Sequence, residues 1–365
     1  VLLRRYWEDP DTPVVTAGLS ALSVGYRMAL RVRDLAYRGG ILRTGRLPCP
    51  VVSVGNLTLG GSGKTPTVEL VVRTLRELGA APAVISRGYG RQSRGVRVVA
   101  DRDALRADAR TAGDEPRLLA ERLPGVVVVV GENRYEAGRV AVEAHGATAL
   151  VLDDGFQHRT LAKDLEILVV QAGAPWGNVR VFPRGMLREP LTGLARADLV
   201  LVTNPADAGR VDAVAATVRR FNPRAPVLAA SYQHQEAIET RSGRRAPVGE
   251  LAGRRLMAFA GLGSPQTFAD TLDAAGVRRA GLAEFPDHHW FTDADLRELV
   301  RDAQAAGAEG LITTEKDWMR LRDLPAPPLP LWVLPVRLVL ERGHDVWQRR
   351  LAGVLASAPL GGSRA

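Results

Sequence analysis

The stretch VVSVGNLTLGGSGKTPTVELV, Val51 to Val71, governs the reading of the whole chain. Val51–Val54 has the apolar character of a buried strand, glycines follow, and a helical pattern runs from about Pro66 to Leu78. Between strand and helix lies TLGGSGKT, Thr58–Thr65. The phosphate-loop pattern Gly-x-x-x-x-Gly-Lys-Ser/Thr asks for its first glycine at position 58, where Thr58 stands instead. The other physical parts are present. Gly60, Gly61 and Gly63, with Ser62 among them, let backbone N–H groups approach an anion, and the helix N-terminus adds the positive end of its dipole. In such a loop Lys64 reaches the β- and γ-phosphates, and the Thr65 hydroxyl holds Mg²⁺. Pro66 suits a first helical turn, where no N–H donor is needed.

The bulk composition is that of an ordinary globular protein, with 46% hydrophobic and 24% charged residues in a chain of 365. That length favours two domains over one. A single cysteine, Cys49, leaves no internal disulfide and suits a reducing compartment. The formal net charge of +9 favours anionic partners: nucleic acid, an acidic membrane surface or phosphorylated ligands. Its cations are 46 arginines and only three lysines, Lys64, Lys163 and Lys316. A chain that writes Arg almost everywhere writes Lys inside the glycine loop, where a compact ammonium fits and a guanidinium fork does not. The arginines are dispersed and no aromatic-basic module accompanies them, so no nucleic-acid partner is expected. Nothing in the chain marks an obligate protein partner.

Residues 1–48 differ from the rest. Val14–Tyr26 is a run of 13 apolar or small residues ended by Arg27. It falls short of the roughly 18–20 apolar residues needed to span a bilayer, and its flank lacks an A-x-A-type cleavage pattern. Wound into a helix, Val15, Leu19, Leu22, Tyr26, Ala29 and Leu30 share one face, while Arg27, Arg31 and Arg38 cluster on another. Two readings fit: a helix packed on its own domain with a solvated basic side, or one lying in a membrane interface with Arg towards anionic headgroups.

From residue 51 onward, strand-like and helix-like segments alternate. Strands are expected at Val51–Val54, Pro82–Ser86, Val126–Val130, Ala149–Leu152, Leu165–Val169 and Asp198–Val202, with a helix at Tyr135–His145. Buried β-runs between helices imply a parallel sheet covered on both faces. The polar stretch around 225–250 marks a hinge near 230, and a second series follows at Leu256–Ala260, Pro265–Ala275, Asp293–Ala306 and Gly310–Thr313. The expected organisation is an interfacial segment at 1–48, a P-loop NTPase-like core at 49–228, and a smaller α/β domain at 229–365. PAPPLP, 325–330, reads as a stiff connector, and the tail GGSRA as disordered.

A phosphate loop needs an acidic partner at a neighbouring strand end. TALVLDDGFQH supplies Asp153 and Asp154 directly after the run Ala149–Leu152. One carboxylate there can order Mg²⁺ and the other take a second polar role, or the pair is a plain Asp-Asp-Gly turn. AGDEPRLLA puts Asp114 and Glu115 at a helix start, for capping or for chemistry. FPDHHWF puts Asp287, His288 and His289 in a loop of the second series. An Asp and a His from opposite domains can form a proton-accepting pair across a cleft.

These words together resemble one family, the tetraacyldisaccharide 4′-kinases, or lipid A 4′-kinases, of Gram-negative bacteria. The resemblance rests on SVGNLTLGGSGKTP, SRGYGR (86–91), GDEP (113–116), GENR (131–134), LDDGFQHR (152–159), PRGMLREP (183–190), FAGLGSPQTF (259–268), FPDHHWF (285–291) and TTEKDW (313–318), in order from about 50 to 320. Thr58 suits that family's own form of the loop. The resemblance implies transfer of the ATP γ-phosphate, with Mg²⁺, to the 4′-hydroxyl of a tetraacyldisaccharide 1-phosphate, the lipid A disaccharide precursor. It implies work at the cytoplasmic face of the inner membrane, which favours the interfacial reading of residues 14–46. Position by position it implies Lys64 and the loop amides on the phosphates, Thr65 on Mg²⁺, Asp114 as general base with His288 rather than His289 as its partner, and Asp153 and Asp154 near the metal. It further implies Arg188 and Glu189 near the nucleotide or metal, and Arg87 and Tyr89 as acceptor or phosphate contacts. The rival reading is a nucleotide-switch GTPase or ATPase of the metallocentre-assembly type. VTNPAD, 202–207, faintly echoes a guanine-reading Asn-Lys-x-Asp motif, but Pro205 occupies the Lys position.

Overall fold

A computed structural model of the chain describes residues 13–205, 207–263 and 265–357. The tail Gly361–Ala365, expected to be disordered, lies outside them. Helix α1 (Pro13–Arg38) leads into β1 (Val51–Gly55), α2 (Lys64–Glu77), β2 (Pro82–Ser86), β3 (Arg97–Ala100), the short α3 (Ala109–Ala112) and α4 (Asp114–Arg122). Then come β4 (Val127–Val130), α5 (Arg134–Glu143), β5 (Ala149–Asp153), β6 (Leu165–Gln171), β7 (Leu199–Thr203), α6 (Ala208–Phe221) and β8 (Val227–His234). A second series holds β9 (Ala237–Glu239), β10 (Arg245–Ala246), β11 (Arg255–Ala260), α7 (Pro265–Ala274), β12 (Arg278–Glu284), α8 (Asp293–Ala305), β13 (Gly310–Thr314), α9 (Glu315–Leu321) and β14 (Leu331–Leu334). The described part closes with β15 (Val336–Arg342) and α10 (His344–Ala356).

Two sheets result. The nine-stranded one has the order β15-β8-β7-β6-β1-β5-β2-β4-β3 and the six-stranded one the order β10-β9-β14-β13-β11-β12. The large sheet is parallel except at its edges, where β3 and β15 run antiparallel to β4 and β8. Alternate side chains serve two cores, which is why the strands read as unbroken apolar runs. Val52, Val54, Ile167 and Val169 face Val68, Val72 and Leu75 of α2 and Leu119 of α4. Val51, Ile85 and Val129 face Ala137 and Ala141 of α5, and Leu168 and Val170 face Val211 and Val214 of α6. From β1 the chain moves first to one side of the sheet and later, through β6, to the other. The loop after β1 therefore lies at a topological switch point, where open α/β sheets bind ligands.

The division expected at 229 is not the division of the sheets. Only β9–β14 form the small sheet; β15 returns to pair with β8, and α10 packs on the face of α2. The sequence hides this because LWVLPV spans the end of one strand and the start of the next, in different sheets, with Pro335 between them. The two crossings run side by side, joined by the Gln235 amide donating to the Pro335 carbonyl at 2.9 Å. Trp347 anchors the return. It is 1% exposed and donates its indole N–H to Thr74 Oγ1 of α2 at 2.9 Å.

Helix α1 lies on the large-sheet unit in a rotation that differs from the expected one. Ser23 is buried and donates to the Val181 carbonyl at 2.8 Å; Tyr26 donates to the Arg188 carbonyl at 3.0 Å and packs edge-on against Phe182. These bonds turn Leu19, Tyr26 and Leu30 inward, half-buried. The outward surface carries Leu22, Val24, Met28, Val32 and Leu35, all more than half exposed, beside the exposed Arg27, Arg31 and Arg38. No helix among the described residues is long and apolar enough to cross a membrane.

Trp347→Ala is expected to destabilise the protein by about 3–5 kcal/mol through the cavity it leaves. Trp347→Phe should cost less, because only the bond to Thr74 and part of the ring are lost. Denaturant midpoints of the two variants measure both.

Candidate active site

The loop from Asn56 to Gly63 lies at the C-terminal edge of the large sheet, and α2 starts at Lys64, two residues earlier than expected. Gly63 has φ 87° and caps the helix; a Cβ there would lie 2.5 Å from the Tyr232 hydroxyl, so only glycine fits. Thr203 at the end of β7 donates to the Ser62 carbonyl at 3.0 Å, and Thr67 donates to the Gly63 carbonyl at 2.8 Å. On the other side the Leu59 amide donates to Met186, and Thr58 bridges Leu187. The loop is thereby braced from β7, β8 and the segment that carries Arg188. Gly263, from the small-sheet unit, approaches closely enough that a Cβ on it would lie 3.2 Å from the Gly61 amide nitrogen.

The lysine of this loop faces the acidic pair. Lys64 Nζ stands 3.4 Å from Asn56 Oδ1 and 3.8 Å from Asp154 Oδ1. Asp154, at φ 53°, accepts two hydrogen bonds from Arg188 Nη1, at 2.9 and 2.7 Å. Burial would raise its carboxyl, but Lys64 and Arg188 outweigh that and hold it below the ordinary carboxylate range. Asp153 differs. It is buried at the end of β5, with Oδ2 accepting from Ser86 Oγ at 2.9 Å and Oδ1 without a partner. Burial first, then the charges of Glu115 and Asp154, push it up to about 7. A buried carboxylate among like charges with an unpaired oxygen suits a hard, oxygen-seeking cation such as Mg²⁺. Glu189 is less open: it takes both terminal nitrogens of Arg196 at 2.8 and 2.9 Å, and Gln157 Nε2 at 2.9 Å. Among the described residues, no three His, Cys, Asp or Glu side chains converge into a metal nest.

The two sheets meet at Asp114, which opens α4 and is 3% exposed. Its Oδ1 accepts from the Glu115 amide at 2.9 Å. Its Oδ2 lies 2.9 Å from His288 Nδ1 and 3.4 Å from Arg320 Nε, both from the small-sheet unit. Burial would raise this carboxyl; the hydrogen bond from His288 and the charges of Lys316 and Arg320 outweigh it, so Asp114 is held low and remains a carboxylate. His289 points elsewhere: it pairs with Asp295 at 3.0 Å and stacks on Phe285, and Asp295 also closes the N-terminal cap of α8. Tyr89 is 66% exposed with its ring 5.2 Å from that of His288, and Arg87 is exposed nearby.

Several residues near the site were not singled out by sequence reasoning. Arg134 is buried, with its charge facing Asp153 and Asp154. His158 is pushed down to about 4, by burial first and then by the cations of Arg134, Lys163 and Arg87. Lys316 and Arg320 lie in or near the TTEKDW stretch, which was quoted for the resemblance without roles. The guanine-reading echo has an ordinary use: Asp207 caps α6 by accepting from the Arg210 amide at 3.0 Å.

Because the carboxyl of Asp153 is raised in the folded state, its proton stabilises the fold below the unfolded value near 4. That contribution is lost as pH rises through about 7. Without nucleotide or divalent cation, Asp153→Asn is therefore expected to melt roughly 3 °C or more above the parent chain at pH 8. The gap should close towards pH 5, as read by thermal denaturation across that range.

Comparison with known proteins identifies the family. The family described as LpxK, tetraacyldisaccharide-1-P 4′-kinase, matches residues 15–356. A tetraacyldisaccharide 4′-kinase of Anaeromyxobacter sp. (strain K) is 43% identical over 362 residues, covering 97% of this chain and 95% of the relative. One from Syntrophus aciditrophicus (strain SB) is 39% identical over 348 residues, covering 92% and 93%. Among solved structures, LpxK from Aquifex aeolicus, crystallised in complex with ATP, superposes with a TM-score of 0.73 at 30% identity, covering 93% of this chain and 99% of that one. The chain belongs to the tetraacyldisaccharide-1-P 4′-kinase family.

Proposed function

We propose that this chain transfers the γ-phosphate of ATP to the 4′-hydroxyl of a tetraacyldisaccharide 1-phosphate, giving lipid IVA, at the cytoplasmic face of the inner membrane. The reading is supported above all by one observation: the Asp114–His288 pair, contributed by the two sheet units, stands beside the braced phosphate loop. Loop amides and Lys64 bind the β- and γ-phosphates. Thr65 with the Asp153–Asp154 pair would hold Mg²⁺, which neutralises charge on the phosphates; Glu189, occupied by Arg196, is the weaker candidate of the sequence set. Asp114 accepts the proton of the acceptor hydroxyl as the new O–P bond forms and the bond from the γ-phosphorus to the bridging oxygen breaks, leaving ADP. An alcohol ionises far above neutrality, so this base acts late in the transfer, and charge neutralisation and in-line positioning carry most of the rate. Tyr89 and Arg87, exposed beside His288 and Arg134, form a face suited to an anionic sugar; Arg188 acts through Asp154. We further propose that β9–β14 and their helices close as a unit over the nucleotide, which excludes water from the phosphates.

The acceptor's acyl chains stay in the bilayer, so the enzyme works at its surface. Helix α1 offers the contact: an exposed apolar strip from Leu22 to Leu35 flanked by Arg27, Arg31 and Arg38. Such a strip binds anionic membranes by burying apolar side chains just below the headgroups.

The deciding experiment is transfer of radiolabelled γ-phosphate from ATP to purified disaccharide 1-phosphate in detergent micelles. Doubly phosphorylated lipid is expected; none from folded, nucleotide-loaded protein would end the proposal. In the same assay Asp114→Ala should lower kcat by about 100-fold or more while nucleotide still binds; an unchanged kcat removes the base from Asp114. Met28→Glu combined with Val32→Glu should weaken flotation with anionic vesicles by about tenfold or more, with nucleotide affinity in detergent unaltered.

A further inference from the structure

Lys316 lies at the centre of the contact between the two sheet units. Its Nζ is 3.1 Å from Glu115 Oε1, 3.4 Å from Asp287 Oδ1 and 3.3 Å from His288 Nε2. An ammonium has three N–H donors and no lone pair. Two of the three contacts are hydrogen bonds, to Asp287 Oδ1 and to His288 Nε2, and the contact with Glu115 is an ion pair. Because the ammonium can only donate, His288 Nε2 must present its lone pair, which leaves the ring proton on Nδ1, pointing at Asp114 Oδ2 at 2.9 Å. A proton on Nε2 would set two donors against each other at 3.3 Å.

We infer that Lys316 is a positioning residue for phosphoryl transfer: it locks His288 in the Nδ1–H tautomer, so that the imidazole donates to Asp114 and has no free site for a proton. The surroundings are consistent with this from every side. Asp114 faces the imidazole from α4, Lys316 from α9, Asp287 from its own loop at 3.9 Å, and the Tyr89 ring from the loop after β2; behind them Glu115 pairs with Lys316 and Arg320 with Asp114. Burial alone would make Lys316 shed its proton more easily, but Glu115, Asp287 and Asp114 outweigh it and keep the ammonium charged well above neutrality. His288 itself is held at φ 60°, a backbone that fixes its approach to Asp114. The acceptor proton then ends on the Asp114 carboxylate, and His288 orients that carboxylate rather than relaying the proton onward. A wrong tautomer at such a histidine leaves its geometry intact and still disables it.

The inference rests on Asp114 as the base only for its kinetic consequence; the tautomer itself is a separate observable. It is read from ¹⁵N-histidine-labelled, full-length protein with ATP analogue bound at pH 7.5, with His288 assigned through His288→Gln. The expected pattern is a protonated Nδ1 and a bare Nε2. A protonated Nε2, in either the other tautomer or the imidazolium, overturns the proposal without any variant. Lys316→Met should release Nε2, add a second ionisation to the pH–kcat profile and lower kcat about 10- to 100-fold, the scale for losing a partner behind a functional side chain, with KM for ATP unchanged. Lys316→Arg carries the charge but not the compact three-way fit, and should recover only part of the loss. A Lys316→Met protein that is folded yet retains the parent tautomer and pH profile also overturns it. If instead the tautomer is as stated while Asp114→Ala keeps full kcat, the base assignment fails and the role of Lys316 in setting the tautomer stands.

Discussion

Asp114 is a carboxylate buried at the first turn of α4, and the side-chain partners that compensate it, His288 and Arg320, come from the other sheet. Helix α4 gives it one backbone N–H, from Glu115, and the favourable end of a dipole. Neither suffices for an anion 3% exposed. Further along the same helix Arg122 pairs with Glu69 of α2 and with Glu315 of α9, and Glu121 pairs with Arg322. Helix α4 is thus held between the phosphate-binding helix and the small-sheet unit by charges on both sides. A buried charge that finds its partners only across an interface makes the arrangement of the two units inseparable from the state of the base.

The phosphate loop has a similar dependence at shorter range. It is not rigid by its own composition, since four of its residues from 58 to 65 are small glycine or serine. Its shape comes from Thr203 on the Ser62 carbonyl, from Tyr232 filling the space beside Gly63, and from Met186 and Leu187 along its outer side. Tyr232 sits on β8, two residues before the strand leaves the large sheet. The same strand therefore supports the anion cradle and begins one of the two crossings to the small sheet.

Much of this was legible in the chain because it is written locally. A strand buried on both faces must be an apolar run, and those at 51–55, 82–86, 149–153 and 310–314 were read within a residue of their ends. Lys64, Asp153, Asp154 and Asp114 stand out in the chain because a glycine loop, a strand end and a helix start announce their positions, whereas the expected roles of Asp114 and of His288, a loop residue, come from the family resemblance. What stayed hidden is long-range. The rotation of α1 follows from Ser23 and Tyr26 bonding to Val181 and Arg188, more than 150 residues away. The return of β15 to the large sheet is an antiparallel edge pairing with no local signature. Lys316 and Arg320 look like surface charges on a short helix until the fold sets them against Asp114. Glu189 is placed near the nucleotide or metal by the resemblance alone, and its ion pair with Arg196, the last residue of the short helical turn Leu191–Arg196, has no signature in the sequence.

The position of β15 and α10 also orders events during synthesis. The small sheet, Ala237–Leu334, is an interruption in the large one, and the final strand and helix come from the far side of it. Until residues 336–356 leave the ribosome, β8 has an unpaired edge and the Val68–Leu75 surface of the phosphate-binding helix lacks Trp347 and Leu351. The nucleotide-binding half of this kinase is encoded first and finished last, so an exposed strand edge and an apolar surface must be endured by the nascent chain for as long as the intervening hundred or so residues take to be made.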